Sequence, residues 1–170
     1  MGLKFQLFRK KKSKSELVLI RFILLRFGYR PKNLALFIQA VTHKSSITVD
    51  EITSNERLEF LGDAILDAVV AEYLFQRFPG EDEGYLTKIK SKIVNRKTLS
   101  EIAEKMELRT IIRYHKGRSI NLPTIEGNAL EAIFGADATG RSSSSAICAA
   151  DLLAKESPDK TSLSFFFNSS

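Results

Sequence analysis

The sequence predicts an all-α protein, and three observations lead to that prediction. Apolar residues recur at intervals of three and four from Glu16 to Ala136, which is the period of a helix with one buried face. No segment in that range alternates apolar and polar residues as a half-buried strand does. The chain has 170 residues, of which 44% are hydrophobic and 27% are charged. That length allows one core of ordinary domain size and is too short for two.

Six helices are predicted in chain order, and glycine and proline mark where several of them end. The third is the longest, from Asn55 to Phe78, and Pro79 with Gly80 terminates it. The sixth is short, from Asn128 to Ala136. The other four are recognised by their apolar stripes: Leu17, Ile20, Leu24 and Phe27 before Gly28; Leu34, Phe37, Ile38 and Val41; Leu86, Ile89 and Ile93; and Ile102, Ala103 and Met106.

Two short polar signals predict where the third and fifth helices begin. Thr53 is followed three residues later by Glu56, and Thr98 is followed in the same way by Glu101. This is the spacing of a capping box, in which a hydroxyl and a carboxylate each accept a hydrogen bond from the backbone at the start of a helix. We therefore expect both helices to begin just after the threonine.

Charge and cysteine content limit the compartment and the kinds of site. The net charge is +6, to which a basic arm within residues 1–15 contributes, and a positive balance favours a polyanionic partner. The single cysteine, Cys148, excludes an internal disulfide and, with only two histidines, a thiolate zinc site. A basic arm followed by an apolar stretch has the order of a signal peptide, but Arg21 and Arg26 interrupt the apolar stretch, which argues against secretion. No run approaches the ~18 apolar residues of a membrane span. A cytoplasmic protein without a membrane segment is expected.

Acidic residues form a stripe along the third predicted helix. Glu56, Glu59, Asp63 and Asp67 are separated by three, four and four residues, so they fall on one narrow face. Apolar residues occupy most of the remaining circumference, which predicts a helix that runs through the core with only a slit for the acids. Either the stripe is a solvated face, or a divalent cation relieves the repulsion between its carboxylates. Oxygen ligands favour magnesium or manganese.

A second pair of oxygen-bearing residues lies on the sixth predicted helix. Asn128 and Glu131 are three residues apart and share a face opposite Ile133, so both are able to meet the third helix across one cleft. A polar pair on a short helix is, by itself, usually surface. Together with the stripe it supplies the four oxygen donors that a metal-dependent phosphodiesterase needs, because the metal activates a water molecule and neutralises phosphate charge.

The residues around the stripe also form a recognisable motif. Residues 55–64 (NERLEFLGDA) resemble the signature of ribonuclease III, a double-stranded-RNA endonuclease. The resemblance covers roughly Gly28 to Ala136 and implies an all-α, ribonuclease III endonuclease-like helical domain. The further segments that carry it are residues 40–45, 77–79, 83–87, 94–95, 99–103 and 127–136.

The resemblance implies an activity and a set of residue roles. A homodimer of this family cuts both strands of double-stranded RNA in a shared valley and leaves 5′-phosphates and 3′ overhangs. By analogy with the family, Glu59, Asn128 and Glu131 coordinate magnesium. Asp63 and Glu131 are, by the same analogy, the catalytic acids. The accessory acidic positions are Glu56 and Glu83.

Basic residues near the stripe suit an RNA substrate, since A-form RNA is recognised through phosphates and 2′-hydroxyls more than through base edges. On the fourth predicted helix Lys88, Lys90 and Lys92 are candidates for following the RNA backbone, and Arg96 with Lys97 comes next. A solvated helix face is the alternative interpretation of each of them. The basic arm is expected to add nonspecific affinity that weakens with salt.

Two features depart from the family pattern. Asn128 stands where most members carry Asp, which removes one negative charge and is expected to lower metal affinity. After Ala136 a Ser-rich tail, residues 137–170, replaces the continuation of the nuclease domain and the double-stranded-RNA-binding domain. We therefore divide the chain into a basic arm (1–15), an incomplete nuclease domain (16–136) and this tail. We expect a truncated or frame-shifted reading frame to account for the tail.

The sequence supports two functions. The first is a magnesium-dependent endoribonuclease that cleaves double-stranded RNA during the processing of ribosomal or other RNA. The second is a catalytically impaired RNA-binding or assembly protein of the same fold. Asn128 and the tail favour the second function, whereas Glu59, Asp63 and Glu131 favour the first. A His-Asp phosphohydrolase is excluded, because the two histidines are too few and too far apart for its metal set.

Overall fold

Six α-helices make up most of the structure, a computed structural model that describes residues 11–47, 53–117 and 119–139. No strand occurs in those ranges, where a single β-bridge joins Thr42 to Arg113. The all-α prediction is confirmed. Most of the predicted arm and nearly all of the predicted tail lie outside the described residues. The helices are α1 Lys14–Phe27, α2 Leu34–Ala40, α3 Glu56–Arg77, α4 Glu83–Ile93, α5 Arg96–Lys105 and α6 Leu122–Ala138.

The first helix has capping interactions at both ends. At its start the Ser13 hydroxyl accepts a hydrogen bond from the Glu16 amide (3.2 Å), and the Glu16 carboxylate accepts one from the Ser13 amide (2.6 Å). At its end Gly28 adopts a left-handed conformation (φ 76°), and its amide donates to the Leu24 carbonyl. Among the described residues no helix, this apolar one included, is long and apolar enough to cross a membrane.

The predicted capping box at the start of α3 is wrong. The helix begins at Glu56, and its N-cap, Asn55, has helical backbone angles and makes no side-chain capping hydrogen bond. Glu56 is therefore the first helical residue and not the third. Its carboxylate accepts hydrogen bonds from Lys44 (2.9 Å) and Ser54 (3.0 Å). Lys44, twelve residues away in the sequence, therefore bonds to the Glu56 carboxylate that the capping-box pattern had assigned to the helix backbone.

The predicted capping box at the start of α5 is also wrong. The helix begins earlier, at Arg96, because Asn95 caps it: the Asn95 side-chain oxygen accepts a hydrogen bond from the Thr98 amide (2.9 Å). The Asn95 amide group donates to the Lys92 carbonyl (2.7 Å), which joins the end of α4 to the start of α5. Glu101 consequently lies beyond the first turn.

The sixth helix is longer than predicted. It begins at Leu122 and not at Asn128, and its N-cap, Asn121, accepts a hydrogen bond from the amide of the third helical residue. Pro123 lies in the first turn, where a missing N–H costs no helical hydrogen bond, so the proline starts the helix. Asn128 and Glu131 therefore lie in the middle of a rigid helix, not at its end.

The core is built around α3 and α6, which cross at two glycines. A Cβ placed on Gly62 would come within 1.7 Å of the Glu131 carbonyl oxygen, and one on Gly135 within 2.2 Å of the Leu58 carbonyl oxygen. Neither distance is sterically possible, so these backbones touch only because both positions are glycine. These two helices contribute the fully buried side chains of Leu66, Leu74, Leu130 and Ile133, and the rest of the fold adds Ile23, Leu99, Ile102, Met106 and Leu108.

The prediction that apolar residues bury most of the circumference of α3 is wrong on one side. Phe60 is 81% exposed and Leu61 is 36% exposed, and the alanines Ala64 and Ala68 also face solvent. The pattern of apolar residues identified the helix, but it did not distinguish the face that enters the core from an apolar face left outside it. The residues of α3 that do enter the core are Leu58, Gly62, Leu66, Val69, Val70 and Leu74.

A buried ion pair joins α6 to the short 3-10 turn Leu108–Thr110. Glu126 is only 2% exposed, and its Oε1 accepts a hydrogen bond from Nε of Arg109. The second carboxylate oxygen of Glu126 has no hydrogen-bond partner among the described residues. Since a buried carboxylate is costly without a counter-charge, Glu126 depends on Arg109.

Replacing Arg109 with leucine is expected to lower the free energy of unfolding and the urea midpoint, because the Glu126 carboxylate is left buried and unpaired. The loss should be smaller than for a fully buried pair, since the Arg109 side chain is 46% exposed. The double variant R109L/E126L should recover most of the loss, because it removes the unpaired charge. Urea denaturation of both variants and the parent checks this, and a larger loss in the double variant would contradict it.

Candidate active site

The glycine crossing brings four oxygen-bearing side chains together. Glu59 and Asp63 flank Gly62 on α3, and Asn128 and Glu131 lie on the part of α6 that touches it. The Asn128 side chain lies close enough to the Glu59 carboxylate on the facing helix to lower its pKa. Asp63 and Glu59 are both close enough to Glu131 for their charges to act on it. Asp63 is exposed and the other three are half-buried.

The crowding of carboxylates changes their proton affinity. Burial, followed by the negative charges of Asp63 and Glu59, raises the pKa of Glu131 to about 7. Burial also raises the pKa of Glu59, although the Asn128 side chain acts in the opposite direction. Arg96, at the start of α5, is the cation whose charge lowers both pKa values. The site therefore holds negative charge at an energetic cost, which is the condition under which a bound cation is stabilising.

The two ends of the acidic stripe are neutralised by lysines from other elements. Lys44, in the loop after α2, pairs with Glu56 at 2.9 Å, and its hydrogen bond lowers the pKa of that carboxyl. Lys90, on α4, pairs with Asp67 at 3.0 Å. The stripe is thus divided into two paired ends and a central pair that faces α6. Sequence reasoning missed the role of Lys44, because nothing in its local pattern indicates a partner so far along the chain.

The remaining predicted residues lie on α4. Glu83 is in the first turn, where its carboxylate accepts a hydrogen bond from Thr87 (2.8 Å). Lys88 and Lys92 are exposed, whereas Lys90 is half-buried and engaged with the acidic stripe. Glu83 is therefore bonded within its own helix, and Lys88 and Lys92 are the two lysines of this set whose heads face solvent.

The donor set is open and not a closed metal cage. In residues 11–47, 53–117 and 119–139, no three side chains of the His, Cys, Asp and Glu types are arranged to hold a metal ion. One of the four oxygen donors in the cluster is the amide of Asn128, and Asp63 is exposed. A hard cation that retains several water molecules is compatible with such a set, since magnesium usually takes only one or two carboxylates from a protein.

A family model matches the part of the chain that contains the helices of the site. Residues 33–152 match a family model described as Ribonuclease-III-like, which is more than half of the chain. The chain belongs to the ribonuclease III family. The match continues beyond Ala136, the residue at which the resemblance seen in the sequence ended. The prediction of family is confirmed.

Bacterial ribonuclease 3 proteins are similar to this member of the ribonuclease III family over its helical part. The protein from Phocaeicola vulgatus is 46% identical over 112 residues, which is 64% of this chain and 36% of the relative. The protein from Bacteroides thetaiotaomicron is 42% identical over 136 residues, 78% of this chain and 42% of the relative. The chain spans half or less of the length of the curated relatives that it matches.

Solved nuclease domains of the ribonuclease III family have the same fold. A 2.2 Å crystal structure of the nuclease domain of ribonuclease III from Campylobacter jejuni has a TM-score of 0.71 and 37% identity, covering 82% of this chain and 96% of that one. A second structure of that domain, which concerns flexibility in a region involved in dimer formation, also has a TM-score of 0.71 and covers 81% and 97%. The predicted ribonuclease III-like helical fold is confirmed.

Proposed function

We propose that the chain acts as an endoribonuclease that hydrolyses double-stranded RNA with a divalent metal ion, magnesium or else manganese, in RNA processing such as rRNA maturation. The observation that carries the proposal is the crossing of α3 and α6, which sets Glu59 and Asp63 against Asn128 and Glu131. Membership of the ribonuclease III family supports the same reaction.

The donor set fits a hard cation. Glu59, Asn128 and Glu131 would hold it, because two half-buried carboxylates with raised pKa values and an amide oxygen are ligands that magnesium accepts. When bound, the metal supplies an activated water molecule and neutralises charge on the phosphate. Asn128 would offer its amide oxygen for this role.

Three acidic side chains of the protein, Glu131, Asp63 and Glu56, would have separate roles in the reaction. In the metal-free protein, burial and the charges of Asp63 and Glu59 raise the pKa of Glu131 to about 7, so binding of a cation near neutral pH would displace its proton and leave a carboxylate that accepts a hydrogen bond from the attacking water. Asp63, exposed on the solvent side of the cluster, is placed to orient the incoming water. Glu56 is held by Lys44, so its part is to fix the loop beside the site.

The test is the cleavage of a long RNA duplex with magnesium, with manganese, and with a chelator. We expect internal cleavage with either metal, 5′-phosphate ends on the products, and no cleavage when the metal is removed. Single-stranded RNA of the same sequence is the control and should be cut far more slowly. Binding of the duplex without cleavage in any metal would favour the noncatalytic RNA-binding function, to which the loss of a charge at Asn128 points.

We also propose that two copies pair through the exposed face of α3 around Phe60. This side chain is 81% exposed and follows Glu59 directly, so a partner that covered it would stand beside the acidic cluster. A second copy would bury the same residue on both subunits, as a two-fold interface requires. The similar nuclease domain from Campylobacter jejuni has a region involved in dimer formation, which supports pairing of two copies in general.

Substituting Phe60 with serine is expected to convert the dimer into a monomer, because it removes the apolar side chain that the partner covers. Phe75 lies on the same helix and is 70% exposed, so F75S is the matched control and should remain dimeric. Sedimentation equilibrium of the three proteins makes the comparison. A monomeric parent, or dissociation by F75S and not by F60S, would contradict the proposed interface.

A further inference from the structure

The start of α5 places one cation beside the acidic cluster. The Ser100 hydroxyl donates to the Arg96 carbonyl (2.7 Å), so the two residues lie one turn apart on the same face of α5. That face packs on α6: a Cβ on Gly127 would come within 3.1 Å of the Ser100 hydroxyl oxygen. Gly127 immediately precedes Asn128. Arg96 therefore borders the site from a third helix, and its charge acts on the carboxyls of both facing helices.

The Arg96 side chain is available to a ligand. It is exposed, and within the described part of the chain it takes part in none of the ion pairs. The next residue, Lys97, is different, since its ammonium group is directed to Glu101 on the same helix (3.9 Å). Of these two adjacent cations of α5, Arg96 lies near the acidic cluster, whereas Lys97 is turned along its own helix.

We propose that Arg96 is a substrate-positioning residue that binds a phosphate of the RNA backbone at the edge of the acidic cluster. A guanidinium group forms paired hydrogen bonds to phosphate oxygens, which fixes the orientation of the phosphate as well as its position. Carboxylates at the centre of the site repel a polyanion, so a cation at its edge offsets that repulsion where the backbone enters. The inference rests on the proposed function and adds to it a named contact with the substrate.

The alternative role for Arg96 is internal, in which it only neutralises the carboxylates. The two roles predict different results. If Arg96 only offsets the carboxylates, its removal weakens RNA binding no more than removal of the equal charge of Lys97 does, and it strengthens metal binding, because the cation no longer competes with magnesium. If it binds phosphate, its removal weakens RNA binding even when no metal is present.

The experiment measures binding of a short RNA duplex in chelator, so that it does not depend on cleavage. R96Q is expected to weaken binding about tenfold and to reduce the dependence of log Kd on log salt by about one. K97Q, which removes the same charge from the neighbouring position, should change affinity less than twofold, and R96K should restore part of the loss. Equal effects of R96Q and K97Q, or unchanged affinity in R96Q, overturn the proposal.

A separate readout distinguishes this proposal from the proposed function. In magnesium, R96Q should raise KM for duplex cleavage about tenfold and change kcat less than threefold, as loss of substrate positioning by binding alone predicts. A parent that binds duplex RNA but does not cleave it refutes the hydrolytic function and leaves the Arg96 contact standing. Cleavage by the parent with unaltered KM in R96Q refutes the contact and leaves the function standing.

Discussion

Replacing Glu131 with glutamine is expected to lower the rate of RNA cleavage by about a thousandfold or more, the scale on which single members of a catalytic set act. Glutamine keeps the size of the side chain but is unable to ionise, so it neither accepts a proton from water nor gives a charged ligand to the metal. Affinity for duplex RNA should be retained or increased, since one negative charge is removed. Single-turnover cleavage and binding in chelator measure the two effects separately.

The same substitution is expected to make the protein more stable in mildly alkaline solution. The pKa of Glu131 in the folded protein, about 7, is above the ordinary value of 4.5. The folded state therefore binds this proton more tightly than the unfolded state, and stability falls as the pH rises from 4.5 through 7. Glutamine does not lose a proton, so E131Q should gain about 1 kcal/mol near pH 8, or roughly 2–4 °C in Tm, after allowance for screening by water.

The control for both effects is E72Q. Glu72 is an exposed acid on α3 that accepts a hydrogen bond from Gln76, and it lies away from the cluster. It should keep full activity, and its stability should equal that of the parent at pH 4 and at pH 8. The gain in E131Q should become small near pH 4, below the ordinary pKa of 4.5, where the parent carboxyl is protonated in both the folded and the unfolded state. A gain of equal size at pH 4 and pH 8 would show that the repulsion is absent.

Adding a single methyl group at Gly62 is expected to have the largest effect on the fold. The new Cβ in G62A would meet the Glu131 carbonyl oxygen at 1.7 Å and its carbon at 2.5 Å, and neither atom is able to swing aside as a side-chain end does. We expect a loss of about 3 kcal/mol or more in the free energy of unfolding, at or beyond the upper end for overpacking. Cleavage should be lost with it, because α3 and α6 must separate.

The matched control for G62A is G80A. Gly80 follows α3, and a Cβ added there meets nothing within 4 Å. Its stability should stay within about 0.5 kcal/mol of the parent, as for most surface substitutions. Thermal unfolding and urea denaturation of the two variants give the comparison. Equal stability of G62A and the parent would mean that the helices do not touch at this position.

The class of fold and the positions of the oxygen-bearing residues follow from the sequence, because both depend on repeated or motif-like patterns. Helical periodicity between Glu16 and Ala136 is maintained over many turns, and the spacing of Glu59 and Asp63 puts both on one face of any helix. That Asn128 and Glu131 meet them across one cleft was an expectation from the same reasoning, and the contact of Gly62 with the Glu131 main chain agrees with it.

The capping residues at the helix starts and the ion pairs were not predicted from the sequence. They depend on contacts between residues that are distant in the chain, or on competition between neighbouring polar side chains. Thr98 had the spacing of a cap, but Asn95, three residues earlier, offered an oxygen in a better position. Glu56 was assigned to the backbone, yet Lys44 from another loop holds it. The exposure of Phe60 was not predicted either, because the sequence pattern of an apolar helix face is the same whether that face lies in the core or against solvent.

Contact between main chains at Gly62 and Gly135 has a consequence for how this protein tolerates change. Interhelical separation there depends on peptide dimensions, which mutation does not alter, and not on the volume of any interposed side chain. Truncating a distant core residue such as Leu74 or Ile102 should therefore lower the melting temperature while the folded fraction keeps its carboxylate spacing. The arrangement of the four oxygen-bearing side chains and the stability of the fold therefore depend on largely separate contacts, and substitutions in the hydrophobic interior need not alter the spacing of the carboxylates.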